Sequence, residues 1–227
     1  MNQPQIVRSK THKNFYSSAL LICNGEMPAK NIVKKLLARN PYIICADGGA
    51  NAARTRAITP HTIIGDFDSI SESTREYYLR HSSAEFIHLQ RQSDTDFEKA
   101  LKYLLTKKIP SVIVLGGTGK LTDHTLGNFS IMMRYTKRLG ISFIDNHFQM
   151  EWIGRKISFD SRIGGRISLV PYPAASGITT RGLKYPLRNE SLRLGMREGT
   201  CNEAAAKRVT IELKKGNLLL FREIKNV

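Results

Sequence analysis

Cysteine is scarce in this chain, and its placement argues against two kinds of site. The 227 residues contain three cysteines, Cys23, Cys45 and Cys201. An odd number at such wide spacing fits neither a disulfide framework nor a zinc site. We therefore expect buried, reduced thiols, as in a cytoplasmic protein.

Long apolar runs are also missing. No segment reaches the roughly 18 consecutive apolar residues of a membrane-spanning helix. Residues 1–18 are polar and basic, unlike a secretory signal. We expect no membrane partner, and we expect residues 1–17 to form a loose tail.

Acidic residues are few relative to basic ones. The chain has 35 Lys and Arg but only 19 Asp and Glu, which gives a formal net charge of +16. Such a surplus attracts polyanions, which include nucleic acid, anionic membranes and phosphorylated small molecules. Nucleic-acid binding would need basic residues interleaved with aromatic ones along one surface. Lys and Arg are instead spread throughout the chain, so nucleic-acid binding stays an alternative and we expect no such partner.

Three familiar motifs are absent. The chain has no Gly-x4-Gly-Lys-Ser/Thr loop and no Gly-x-Gly-x-x-Gly after its first predicted strand. It also lacks a nucleophile elbow. These absences argue against a P-loop, against hydride transfer to a dinucleotide and against nucleophile-elbow chemistry.

The first two-thirds of the chain alternates strand patterns with helical patterns. Strands are predicted over residues 19–23, 42–46, 62–64, 86–89, 111–115 and 141–145, and helices over 32–37, 71–80, 94–107 and 123–139. This alternation predicts an α/β fold with a mostly parallel, doubly wound (Rossmann-like) sheet covered on both faces. We assign it to an α/β domain over residues 18–145.

Short alternating segments replace this pattern after residue 145. They cover residues 150–153, 156–159, 166–170, 209–213 and 218–222, and Gly and Pro separate them. They predict a small antiparallel β domain over residues 146–227. Lys215-Gly216-Asn217 is expected to form a hairpin turn between the last two strands.

Polar clusters follow the predicted strands, at the edge where doubly wound sheets bind ligands. Asp47-Gly48-Gly49-Ala50-Asn51 follows the second strand. Its glycines permit a tight turn and the close approach of a ligand, and Asp47 is a candidate cap for the next helix. A plain strand–turn–helix junction is the alternative.

The next cluster, Gly65-Asp66-Phe67-Asp68-Ser69, follows the third strand. Residues two apart share a face of an extended segment, so Asp66 and Asp68 are expected to point the same way. Adjacent carboxylates need a compensating cation, and oxygen ligands suit magnesium. The alternative is a solvated acidic turn in which Asp68 caps the next helix.

Two more clusters complete the set. In residues 92–99, Asp94 or Thr95 is a candidate helix start, and Asp96 and Lys99 lie three apart on that helix. The alternative is an ordinary capped helix with a surface ion pair. Residues 116–120, Gly-Gly-Thr-Gly-Lys, form either a loop that cradles phosphates with backbone amides or a merely flexible connection. Together, the clusters suit phosphoryl-type transfer, in which positioning and charge neutralisation dominate.

The order and spacing of these motifs resemble thiamine pyrophosphokinases. The matching segments are Asp-Gly-Gly-Ala-Asn (47–51), Ile-Ile-Gly-Asp-Phe-Asp-Ser-Ile (63–70), Thr-Asp-Phe-Glu-Lys-Ala-Leu (95–101) and Asp-His-Thr-Leu-Gly-Asn (123–128). The resemblance continues into residues 182–187 and 201–203 and covers nearly the whole chain from about residue 19. It implies an α/β nucleotide-binding domain followed by a β-sandwich domain, and a homodimer with thiamine near the dimer interface.

The resemblance also implies a reaction and a set of residues. ATP would give its pyrophosphoryl group to the hydroxyl of thiamine with the help of Mg2+, leaving AMP. The expected magnesium ligands are Asp66, Asp68 and Asp96, which form the catalytic set with Lys99 and Asp123. The residues expected to bind ATP are Asn24, Gly25, Asp47, Gly48, Asn51, Gln92, Thr95 and Lys120. Those expected to lie towards thiamine are Cys201, where the family usually has Ser, and Asn202.

Leu121 departs from the family pattern. It stands where the family has an Arg that would neutralise the polyphosphate. Lys120 and Arg91 are candidate substitutes, but a Lys lacks the fork with which Arg grips two phosphate oxygens. Transfer to another alcohol by a related magnesium-dependent diphosphotransferase is the alternative reaction.

Overall fold

The computed structural model describes residues 16–90 and 93–224, so the predicted tail lies almost wholly outside the described residues. In chain order the elements are β1 (Ala19–Ile22), α1 (Lys30–Leu37), β2 (Tyr42–Ala46), α2 (Gly49–Thr55), β3 (Thr62–Gly65), α3 (Glu72–His81), β4 (Glu85–His88), α4 (Asp96–Thr106), β5 (Ser111–Leu115), α5 (Thr122–Tyr135), β6 (Gly140–Ile144), β7 (Phe148–Ile153), β8 (Lys156–Asp160), β9 (Arg166–Arg181), β10 (Arg188–Arg193), β11 (Gly199–Glu203), β12 (Arg208–Glu212) and β13 (Lys215–Glu223).

The first six strands form the predicted parallel sheet, in the order β4-β3-β2-β1-β5-β6. Side chains alternate between its faces. Ala19 and Leu21 of β1 pack in one apolar cluster with α4 and α5. Leu20 and Ile22 pack in another with α1, α2 and α3. Because both faces of the central strand are buried, the run of apolar residues carries no polar alternation. The doubly wound fold predicted from the sequence is confirmed.

The last seven strands form the predicted antiparallel region, in which β9 pairs with β10, β11, β12 and β13. A separate apolar cluster, which includes Ile167, Leu169, Val209 and Ile211, fills this region. The sequence pattern indicated only the first third of β9 and neither β10 nor β11. Among the described residues, no helix combines the length and the apolar character that a membrane span requires.

The predicted hairpin at residues 215–217 is wrong. β12 pairs with β8 and β9, whereas β13 pairs with β7 and β9, so the last two strands are not neighbours. Gly216 lies inside β13 opposite Ala175. A Cβ on Gly216 would lie 2.1 Å from the carbonyl oxygen of Ala174. This glycine therefore permits a close approach of two strands instead of a turn.

The two halves meet in one hydrogen-bonded sheet. β6 and β7 pair antiparallel, with Phe143 opposite Met150 and Ile144 opposite Gln149. The connecting turn is closed by Asp145, whose Oδ1 accepts hydrogen bonds from the amides of His147 and Phe148 at 2.7 Å each. The boundary that we predict after residue 145 falls in this turn and stays a prediction.

Candidate active site

A cavity of about 730 Å3 opens at the carboxyl ends of the parallel strands. Its volume lies in the range of small-molecule sites. Its walls are the loops after β1, β2, β3 and β5, the segment before α4 with the first turn of that helix, and one face of α5. The predicted site residues that line it are Asn24, Gly25, Asp47, Gly48, Asp66, Asp68, Thr95, Asp96, Lys99, Lys120 and Asp123.

Two glycine-containing loops form one side of the cavity. The amide of Gly25, after β1, donates to the carbonyl of Gly116, after β5, at 2.8 Å. A Cβ on Gly25 would lie 2.3 Å from that carbonyl oxygen, so only glycine fits. The Nζ of Lys120 lies 3.1 Å from Oδ1 of Asn24, and Asn128 donates to the carbonyl of Gly117 at 2.9 Å. The loops are thus tied to each other and to α5.

Three of the carboxylates that line the cavity converge. Asp47, Asp66 and Asp68 each offer an oxygen within 4.8 Å of the others. The expectation of convergence is correct for Asp66 and Asp68, but the assumed extended backbone is not. Phe67, between them, has φ of 65° and its ring stacks on His88 at 5.4 Å between centroids. The left-handed turn at Phe67 therefore brings together the two carboxylates.

Asp47 is the buried member of this group, only 2% exposed. Its two carboxylate oxygens accept hydrogen bonds from the amides of Ser69 and Ile70, at 3.0 and 3.1 Å. Burial raises the pKa of Asp47 to about 6, and the nearby Asp96 adds to the rise. Asp47 does not cap α2, contrary to our expectation, because Gly48 occupies the N-cap position without a side-chain bond. The carboxylate instead accepts hydrogen bonds from the backbone amides of the loop before α3.

Helix α4 contributes an ion pair. Thr95 caps the helix, accepting from the amide of Glu98 at 3.2 Å, so that candidate helix start is confirmed. Lys99 is 3% exposed, and its Nζ lies 2.8 Å from Oδ1 of Asp96 and 3.5 Å from Oδ2 of Asp66. Burial pulls the pKa of Lys99 down, but the hydrogen bond and charge of Asp96 outweigh it and leave that pKa raised.

Asp96 stands beside the group of three carboxylates, and its Oδ1 accepts a hydrogen bond from Nζ of Lys99 at 2.8 Å. Burial raises the pKa of Asp96, and the hydrogen bond from Lys99 opposes that rise. Gly65 lets the side chains gather: a Cβ there would lie 2.8 Å from Cβ of Asp47 and 3.1 Å from Oδ1 of Asp96. Among the described residues, Asp47, Asp66 and Asp68 are therefore the carboxylates whose oxygens lie close enough together to bind one metal ion. Asp96 lies next to them.

Three of the predicted site residues that the structure describes, Asn51, Cys201 and Asn202, do not line the cavity. Gln92 lies outside the described residues. Asn51 holds the loop before α3, with its Oδ1 accepting from the amide of Ser71 at 3.0 Å. Asn202 is buried on β11, where its side chain accepts from the amide of Tyr185 at 3.1 Å and donates to the carbonyl of Tyr185 at 2.7 Å. Cys201, beside it, is exposed rather than buried as expected, whereas the other two cysteines are buried.

Helix α5 supplies cavity residues to which sequence reasoning gave no role. They are His124, Thr125, Gly127, Asn128 and Ile131, and Leu121, which the sequence already singled out, precedes them at the N-cap position. Most are three or four residues apart, so they share one face of the helix. Applying that spacing to the segment after the glycine-rich loop would have found this face.

The charge of the cavity is opposite to that of the chain. Asp47, Asp66, Asp68, Asp94, Asp96 and Asp123 line it, against the lysines Lys99 and Lys120. A polyphosphate entering such a site needs positive charge beyond two lysines. The donor set of the three converging carboxylates is all oxygen, which fits Mg2+ and fits soft metals poorly.

Comparison with known proteins gives a consistent result. The family "Thiamin pyrophosphokinase, catalytic domain" matches residues 33–143, and "Thiamin pyrophosphokinase, vitamin B1 binding domain" matches residues 155–218. The thiamine pyrophosphokinase of Bacillus subtilis is 31% identical over 183 residues, covering 79% of this chain and 86% of the relative. That of Caenorhabditis elegans is 26% identical, with coverage of 90% and 88%.

Solved structures agree on the fold. The crystal structure of the Bacillus subtilis thiamine pyrophosphokinase superposes with a TM-score of 0.83 at 25% identity, covering 92% of this chain and 99% of that one. The Candida albicans enzyme superposes with a TM-score of 0.82 at 20% identity, covering 92% and 90%. Both halves of the present fold therefore have counterparts in one solved chain.

Proposed function

We infer that this chain, which belongs to the thiamine pyrophosphokinase family, transfers the pyrophosphoryl group of ATP to the hydroxyl of thiamine and releases AMP. The single observation that carries the proposal most is the carboxylate-rich cavity closed on one side by two joined glycine loops. Such a cavity suits a triphosphate with its cation and offers nothing for hydride transfer.

Magnesium would be held by Asp47, Asp66 and Asp68, whose oxygens lie within reach of one ion. Bound there, it would supply positive charge to the phosphate oxygens. This set differs from the sequence prediction, which named Asp66, Asp68 and Asp96, because Asp47 takes the place of Asp96. Asp96 stays in our proposal as a carboxylate that faces the phosphates from beside Lys99.

The remaining roles follow from position and charge. Backbone amides of the joined loops would bind phosphate oxygens, as in other glycine-rich loops. Lys99 and Lys120 would add positive potential, since both line the cavity. The thiamine hydroxyl would attack the β-phosphorus of ATP, and its proton would pass to Asp96 or Asp123, which line the same space. Phosphoryl-type transition states ask little of a base, so positioning dominates the rate.

Thiamine and the second subunit form the last part of the proposal. We place thiamine near the interface of a homodimer, with the segment of Cys201 and Asn202 contributing. Large apolar side chains are exposed in this half, Tyr185 at 61% and Met196 at 77%. Contiguous apolar patches mark protein interfaces, and we propose that these side chains belong to one. Asn202 would act by holding the backbone of Tyr185.

One experiment tests the reaction. Pure protein is mixed with ATP, Mg2+ and thiamine, and AMP and thiamine diphosphate are measured. We expect both products in equal amounts, and none without Mg2+. Turnover of another alcohol in preference to thiamine, in a direct competition, would replace the proposal by the related diphosphotransferase. Binding of random RNA that ATP leaves unaffected, without any turnover, would overturn both.

A further inference from the structure

The loop at residues 66–68 carries two of the three converging carboxylates and is anchored at both ends. Before it, the carbonyl of Gly65 accepts a hydrogen bond from the backbone that follows β4, at 2.8 Å. After it, the amide of Ser69 donates to Oδ2 of Asp47 at 3.0 Å. Between these anchors the two aspartates are exposed, whereas Phe67 is half-buried and packs against an apolar cluster. The ring of Phe67 therefore connects the loop to the body of the protein.

The backbone of Phe67 adopts a conformation that an aromatic residue disfavours. Its φ of 65° lies in the left-handed region, which is an outlier for a bulky side chain. Such a conformation persists only where the surrounding contacts hold it in place. It is also the conformation in which the flanking carboxylates approach Asp47, with their oxygens within 4.8 Å of one another. Contacts that hold the backbone of Phe67 therefore also hold the carboxylate group.

Two side chains of β4 make ring contacts with Phe67. Phe86 meets its ring edge-on, with 5.7 Å between centroids and 72° between planes. His88 stacks on it at 5.4 Å and 20°. The two residues are two apart on one strand, so both project from the same face. Aromatic pairs with these separations and angles are favourable. Within the described part of the chain, neither Phe86 nor His88 is among the residues that line the catalytic cavity.

We propose that Phe86 and His88 are positioning residues for the metal site, because together they hold the ring of Phe67. They thereby keep the left-handed turn and the spacing at which Asp66 and Asp68 can share one cation. The inference rests on the proposed function, since it takes a divalent cation as the ligand of these carboxylates. It assigns Phe86 and His88 no contact with the cation or with a substrate.

The test measures the binding of Mn2+ to the ATP-free protein by electron paramagnetic resonance, because Mn2+ takes the same oxygen ligands as Mg2+. His88→Ala should weaken Mn2+ binding about threefold to tenfold, as expected for the loss of one aromatic pair. His88→Phe keeps a ring but has neither a nitrogen nor a charge, and it should bind Mn2+ as the wild type does. Asp68→Asn should weaken binding further, which assigns the signal to the carboxylate group.

His81→Ala is the matched control. His81 is also an exposed histidine in contact with an aromatic ring, 5.1 Å from that of Tyr77, but it lies at the end of α3 and is not among the residues that line the cavity. The His81→Ala variant should bind Mn2+ with the wild-type affinity. An equal loss in His81→Ala and His88→Ala would overturn the inference.

A second pair of variants separates the ring from the backbone. Phe67→Gly and Phe67→Ala lose the same ring contacts, but glycine adopts the left-handed conformation at little cost. Both variants should bind Mn2+ more weakly than the wild type, and Phe67→Ala should bind it more weakly than Phe67→Gly. Because His88 is exposed, His88→Ala tests the inference even if the Phe67 variants fail to fold.

Two further results would overturn the inference and leave the proposed reaction in place. One is wild-type Mn2+ affinity in His88→Ala. The other is a loss in His88→Phe equal to that in His88→Ala, which would assign the effect to the nitrogen or the charge of the histidine. Wild-type Mn2+ binding that Asp68→Asn leaves unchanged would remove the metal assignment and the inference together. Thiamine diphosphate formation by the wild type reports on the proposed reaction separately, so the failures are distinguishable.

Discussion

Lys99 reaches back to Asp96 on the same helix, with 2.8 Å between Nζ and Oδ1. The two residues are three apart, which places them on one side of the first turn of α4. The same Nζ lies 3.5 Å from Asp66, so the lysine links α4 to the loop after β3. A positive charge is thereby fixed among the carboxylates of the cavity.

Lys99→Met should lower kcat by about 100-fold or more, because it removes a fixed cation from the place where charge develops. The measurement is AMP release with ATP, Mg2+ and thiamine. Lys107→Met is the control, since Lys107 follows the same helix and its Nζ lies 5.1 Å from the centre of the Tyr103 ring. Equal losses in both variants would argue for a general effect on α4 and against this role.

Asp68→Asn should lower the rate by about three orders of magnitude, because it removes one of the three carboxylates proposed to bind magnesium. The fold should stay intact, because Asp68 is exposed. Activity and far-ultraviolet circular dichroism are measured together. Asp160→Asn, at an exposed aspartate paired with Arg208 at 3.2 Å, is the matched change outside the cavity. Survival of activity in Asp68→Asn would show that the metal assignment is wrong.

Leu121→Arg should raise kcat/KM roughly tenfold, because a guanidinium at the cavity rim can bind phosphate oxygens in two places. Leu121 occupies the N-cap position of α5, lines the cavity and is 58% exposed, so an Arg has room.

Leu126→Arg separates this local effect from general attraction. Leu126 lies on the same helix, is 63% exposed and is not among the residues lining the cavity. The Leu126→Arg variant should therefore have a kcat/KM near the wild-type value. If Leu121→Arg also does so, the charge that the family Arg provides is already supplied elsewhere.

His61 predicts a pH dependence of stability. Its Nδ1 accepts from the amide of Ile43 at 2.9 Å, which requires an unprotonated nitrogen, and burial lowers the pKa of His61. As pH falls below about 6.5, the unfolded chain therefore takes up a proton before the folded one does. The free energy of unfolding should be largest above that pH and decrease as pH falls towards the folded pKa.

Urea unfolding between about pH 7 and about pH 5 measures this slope. His61→Asn offers an amide oxygen in place of Nδ1 and does not titrate, so its slope should be shallower. His147→Asn, in the exposed turn before β7, is the matched control and should keep the wild-type slope. A His61→Asn slope equal to that of wild type would contradict the prediction.

Local patterns were enough to predict the parallel half from the sequence. A strand buried on both faces, such as β1, shows itself as an uninterrupted apolar run, and the segment around Phe97 and Leu101 shows helical spacing. The helix predicted over residues 123–139 ends at Tyr135 in the structure. The prediction ran too far because nothing in the spacing of its residues marks the end of the helix. The antiparallel half was harder, since β9 runs through Pro171, Pro173 and Gly177, residues that usually end strands.

The candidate site also has features that the sequence predicted and features that it did not. The convergence of Asp66 and Asp68 followed from their positions after a strand, although the left-handed turn at Phe67 was not predictable from its identity. The capping expectation for Asp47 failed because its actual partners, the amides of Ser69 and Ile70, lie more than 20 residues away in sequence. Such long-range pairing depends on the register of β2 against β3, which no local pattern encodes.

The pairing of β6 with β7 limits how this molecule can move. Backbone bonds run without a break from β4 at one edge to β8 at the other. A hinge about the turn at residues 145–147 would have to break the β6–β7 ladder, so we do not expect the two halves to rotate against each other there. For the same reason, heat or denaturant should melt the two halves together in one cooperative step.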